Sequence, residues 1–102
     1  FVMDLPEPWE TVEDADMAEY RHAWEVELVC ELGPGHLLFG QTPRLICRRL
    51  DCDDALFQLE DGRVAEVHLT WIGRREANSV LPETRIFSSL DEWHGIVSGK
   101  GA

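Results

Sequence analysis

The chain has no apolar run near the roughly 20 residues that a membrane-spanning helix needs. Its opening stretch, FVMDLPEPWE, has neither a basic n-region nor an apolar h-region, so it does not read as a secretory signal. Cysteine is scarce and odd in number: Cys30, Cys47 and Cys52, with no CxxC spacing. A disulfide framework or an all-cysteine zinc site therefore does not fit. Three reduced thiols in a cytosolic protein do fit, some of them buried as small apolar residues. Cys47 with Cys52, across a tight turn, is the one pairing left to geometry. No HExxH, GxSxG, phosphate-loop or GxGxxG motif is present, and no cofactor is implied. There is no internal repeat and no low-complexity segment.

Positive charge is missing from one region. Residues 1–34 hold ten acidic side chains and a single basic one, Arg21, whereas residues 35–102 hold ten acidic and eight basic. The net charge of −11 thus belongs mainly to the N-terminal third. Bare duplex nucleic acid does not suit such a surface, because binding it depends on neutralising phosphates with Lys and Arg, so no nucleic acid is expected as a partner. A basic protein partner is compatible. So is the plainer reading, that an acidic face keeps a protein in solution.

What remains is an ordinary globular composition: 102 residues, 44% hydrophobic and 28% charged, enough for one domain with one modest core. Residues 1–12, with Pro6 and Pro8, read as an extended arm whose Trp9 needs a docking place. Residues 13–32 read as a helix. Met17, Tyr20, Trp24, Leu28 and Leu32 share a face, Glu13, Asp14 and Asp16 favour its start, and Gly33-Pro34-Gly35 ends it. Trp24, Val26 and Leu28 also alternate with glutamates in a strand-like way, but length favours helix. Val26, Val29 and Cys30 then widen the apolar surface, as if the helix were covered on two sides, by its own sheet and by a second subunit. Leu37, Leu38 and Phe39 should plug the edge of the core.

An antiparallel sheet of three to four strands follows, at about 44–51, 54–60, 63–71 and 84–87. A C-terminal helix at about 89–97 opens with a capping-box pair, Ser89 and Glu92, and 98–102 form a frayed tail. The predicted class is α+β.

The turn at Asp61-Gly62 admits two registers. A three-residue loop, with Gly62 in the left-handed region, places Ala55, Phe57, Leu59, Ala65, Val67, Leu69 and Trp71 on one face. A slip of one residue would turn every side chain over, so the apolar set selects this loop. The opposite face then carries Leu56, Gln58, Val64, Glu66, His68 and Thr70, with Asp54 across from His68. Asp51 and Arg49 join them if Cys52-Asp53 forms the preceding turn.

This gathering is the one constellation with chemistry to offer. A carboxylate can orient an imidazole as a general base. Two carboxylates and an imidazole can hold a divalent metal, and an Arg can clamp an anionic group. Against these stand solvated cross-strand pairs worth about 0.2–1 kcal/mol each, and turn hydrogen bonds made by Asp51, Asp53 and Asp54. The candidate binding residues are therefore His68, Asp54, Glu66, Asp51, Arg49 and, from the loop after the first helix, His36. None is assigned a catalytic role or metal ligation.

GPGHLLFGQ, DCDDALFQLEDGRVAEVHLTW and the closing SSLDEW resemble a group of small bacterial proteins of uncharacterised function. Those proteins carry Gly-His-x-Leu-aromatic-Gly, Asp-Cys-Asp-Asp-x-Leu-Phe and Val-His-Leu-Thr-Trp segments. The likeness covers roughly residues 24 to 95 and departs at Leu37, where a Pro is expected. It implies a bacterial cytosolic protein and supplies no activity. The expectation is a small non-enzymatic interaction module, a homodimer being one form of it. The alternatives are a small-molecule or metal-binding protein built on Asp54, His68 and Glu66, and an acidic, immunity-type inhibitor of a basic protein.

Overall fold

In the computed structural model, which describes residues 5–78 and 80–98, the chain is an α+β fold around a five-stranded antiparallel sheet. The strands are β1 (Trp9–Thr11), β2 (Arg44–Arg49), β3 (Asp54–Gln58), β4 (Val64–His68) and β5 (Glu83–Phe87), neighbours in chain order throughout. Helix α1 (Ala18–Glu31) packs on one face and α2 (Leu90–Val97) on the other. The predicted arm is thus partly a strand. Trp9, Glu10 and Thr11 pair with Arg49, Arg48 and Cys47, and the Trp9 ring meets Trp93 of α2 edge-on at 5.0 Å. Three residues between prolines and acids give no readable alternation, which is why the pairing is invisible in sequence.

The β3–β4 register is the one selected by the apolar pattern. Phe57 pairs with Ala65, Ala55 with Val67 and Asp54 with His68. The Leu59 N–H bonds the Arg63 carbonyl at 2.9 Å across a three-residue loop, in which Gly62 has φ +93°. Asp61 fastens the loop by accepting from the Arg63 N–H and guanidinium.

On the α1 side, Leu45, Ala55, Phe57, Leu59, Ala65, Val67 and Leu69 meet Trp24, Leu28 and Leu32. On the α2 side, Ile46, Cys47, Leu56, Val64 and Phe87 meet Trp93, with Leu90 and Val97 beside it. A bulge between Leu45 and Cys47 divides β2 between these layers. The extra residue lets Leu45 serve one face while Ile46 and Cys47 serve the other. All three cysteines are free thiols.

The first helix begins later than predicted. Ala15–Met17 form a 3₁₀ turn before α1, and the Arg21 guanidinium holds the approach by donating to the carbonyls of Val12 and Asp14. Leu38 is fully buried as expected, but Leu37 and Phe39 point outward. At α2, Ser89 accepts from the Glu92 N–H at 3.1 Å, and the Glu92 carboxylate reaches back to Ser88.

Strand β4 ends at His68, short of the predicted Trp71. Beyond it the Glu31 carboxylate takes the Thr70 N–H at 3.1 Å and the Trp71 N–H at 2.8 Å, so these amides leave the ladder. Trp71 turns to φ 56°, a left-handed conformation that costs a bulky residue on the order of 1 kcal/mol. Its ring lies half exposed against Trp24, edge-on at 5.0 Å, instead of inside the core.

Candidate functional site

The α2 helix covers only part of its face, and what it leaves open is a charged row. Cross-strand partners run Trp9, Arg49, then Asp54, His68 and Glu83, across all five strands. His68 Nδ1 lies 2.6 Å from Asp54 Oδ1. Arg49 makes a two-pronged contact with Asp51, at 3.0 and 2.8 Å, and stands 3.9 Å from Asp54. The Arg49 guanidinium holds the Asp51 carboxyl below its ordinary range. Asp54, His68, Asp51 and Arg49 therefore gather as the register implied.

Glu66 belongs to the next row and is not available in the same way. One oxygen accepts from Trp93 Nε1 at 3.0 Å and the other from Arg85 at 3.1 Å, so the carboxylate is spent tying α2 to the sheet. His36 does not enter the site. Its Nδ1 accepts from the Leu38 N–H at 3.0 Å, which leaves Nε2–H to donate to the Pro82 carbonyl at 2.8 Å. It is buried, and it contacts Thr84, whose cross-strand partner Val67 faces α1. His36 is thus a strut between the loop after α1 and the start of β5.

Glu83, Thr84 and Arg85 complete the surroundings. With Asp54, Glu66 and His68 they line an open recess of about 390 Å³. No local signal sets the register of β5, and that register alone brings Glu83 across from His68 and Arg85 across from Glu66. Among the described residues, no three His, Cys, Asp or Glu side chains converge as a metal ion would require.

The opposite side of the molecule presents a different surface. Nine large apolar side chains are exposed among the described residues; Val26 and Val29 lie on α1, Trp71 and Ile72 in the loop after β4, and Leu37 and Phe39 in the loop that follows the helix. Trp71 rests on Trp24, and Gly73, next to Ile72, donates to Glu27 of the helix. Phe39 stacks under Arg75, whose side chain passes Gly33 just after the helix end. Cys30 and Ala23 are also exposed on α1.

Three of the helix's own acids accept from backbone amides outside the helix, and of the three only Glu31 is buried. Glu25 accepts from the Leu45 N–H, Glu27 from Gly73 and Glu31 from Thr70 and Trp71. These are backbone amides at strand ends and in the loop after β4, which no strand pairs. The excess of acid in the N-terminal third therefore has an internal use that composition does not reveal.

Comparison with protein-family models, with curated proteins and with solved structures finds no match to this chain. Among the described residues no helix is long and apolar enough to cross a membrane.

Proposed function

We propose that the protein is a small, non-enzymatic interaction module of the bacterial cytosol that docks a protein partner through the outer face of α1. The observation that carries this reading is that six of the nine large apolar side chains exposed among the described residues belong to α1, the loop that follows it and the loop after β4 that bonds it. Scattered exposed apolar residues are normal, whereas a gathered patch marks a contact surface.

The recess beside His68 supports a second reading, a small polar ligand held among Asp54, His68 and Glu83. It ranks lower because Glu66 and Arg85 already satisfy each other and ligand sites are mostly apolar and enclosed. An inhibitor of a basic protein draws support from the exposed Glu13, Asp14, Asp16 and Glu19 alone, since Glu25, Glu27 and Glu31 are engaged within the fold.

Immobilised wild type, V26E/V29E and H68A separate these readings. The docking reading expects capture of a defined protein, either this chain or another, by wild type and H68A and not by V26E/V29E. Capture lost in H68A alone, or identical in all three, overturns it.

A further inference from the structure

Resting on the α1 docking reading, we propose that the occupant of this face is a second copy of the chain, its α1 packed antiparallel across a two-fold axis at Val26. At 3.6 residues per turn, Glu19, His22, Val26 and Val29 fall along the outer side of the helix, with Ala23 and Cys30 beside them. All six are exposed. The two ends of this line carry opposite charge. Glu19 lies at the N-terminal end, beyond which come Asp16 and Asp14. Arg75 lies at the C-terminal end, its Cγ only 3.6 Å from where a Cβ on Gly33 would stand. Arg75 has an aromatic contact with Phe39 and, among the described residues, no carboxylate within ion-pair distance.

An antiparallel pair centred on Val26 makes this pattern self-complementary. Val26 meets its own copy, Ala23 meets Val29, so a small side chain receives a branched one, and His22 meets Cys30. Glu19 falls opposite the end of the partner copy's α1, just past which Arg75 lies against Gly33. A parallel pair would instead bring Glu19 to Glu19 and Arg75 to Arg75. A uniformly basic partner would gain at Glu19 and lose at Arg75 and the neighbouring exposed Arg74. A two-fold contact uses one patch twice, so opposite charges at the two ends of a single helix suit it.

Sedimentation of the wild type over roughly 1–1000 µM tests for the dimer in the range where a small interface is populated. E19K and R75E should each weaken it by roughly tenfold, and E19K/R75E should restore it, since the rim pairs are then swapped rather than lost. All three changes are on exposed positions, and circular dichroism checks that each variant is folded. In a C30S background, V26C should form an intermolecular disulfide at the axis. Native Cys30 should not, because the two copies of residue 30 stand about 12 Å apart along the helices.

A monomer throughout, with capture of another protein still dependent on Val26 and Val29, overturns the second copy and leaves the docking face standing. A monomer with no such capture removes both. A dimer indifferent to E19K, R75E and V26C uses another surface and overturns the proposal.

Discussion

Glu31 is a fully buried carboxyl at the end of α1. Burial pushes its pKa up to about 7, and the neighbouring Glu27 adds to the rise, against the lowering effect of the Thr70 and Trp71 N–H groups. A carboxyl raised in the folded state holds its proton there after the unfolded chain has released it. Its contribution to stability is therefore present at acid pH and is lost as pH rises from the ordinary carboxyl range through about 7. Denaturant melts should show wild type losing about 2 kcal/mol between pH 5 and pH 8 that E31Q does not lose. A wild-type profile parallel to that of E31Q would show that Glu31 does not titrate in this window. Nothing in the sequence singled out Glu31, one of ten acids in the N-terminal third. Its role comes from two amides of a distant loop that the fold delivers to it. His36 is the converse, a loop histidine that looked available and that the fold consumes.

The β3–β4 hairpin shows what an element can declare by itself. Apolar alternation on both strands leaves a single register that buries the whole set, and Gly62 supplies the turn that register requires. A Cβ at Gly62 would meet nothing within 4 Å, so Gly62→Ala should cost only the backbone strain of a positive φ, about 1 kcal/mol, measured by thermal or denaturant unfolding. A neutral result would mean that the turn relaxes to another form. Helix α1 was less legible. Its outward valines read as a second covered side, and the structure leaves them exposed on the monomer. Strand β1 was not legible at all, because three residues carry no period and its partner lies almost 40 residues away in sequence.

At the scale of the whole molecule, one sheet is covered by α1 on one side and by α2 with the N-terminal arm on the other. The cysteines sample these environments separately. Cys30 is exposed on the outer side of α1, Cys52 is half-buried in the β2–β3 turn, and Cys47 lies beneath α2 and the arm. Burial pushes the Cys47 thiol well up, with Glu13 and Glu66 adding to the effect, so almost none of it is thiolate at neutral pH. Alkylation followed by mass spectrometry should modify Cys30 first and Cys47 only when the molecule unfolds as a whole. Early labelling of Cys47 would mean that the α2 layer opens on its own.

The sequence by itself determined the α+β class, the hairpin register, the limits of α2 and the meeting of Asp54 with His68. Each rests on a local period, a turn residue or a cap, all of which act between near neighbours. Tertiary structure alone decided the fate of the other charged groups. Glu66 is spent on Trp93 and Arg85, and Glu83 joins His68 through a strand whose register nothing local fixed. Glu25 and Glu31 bond part-buried amides at the start of β2 and in the loop after β4. A buried donor must find an acceptor, and which carboxylate provides it depends on what the packed layers bring within reach.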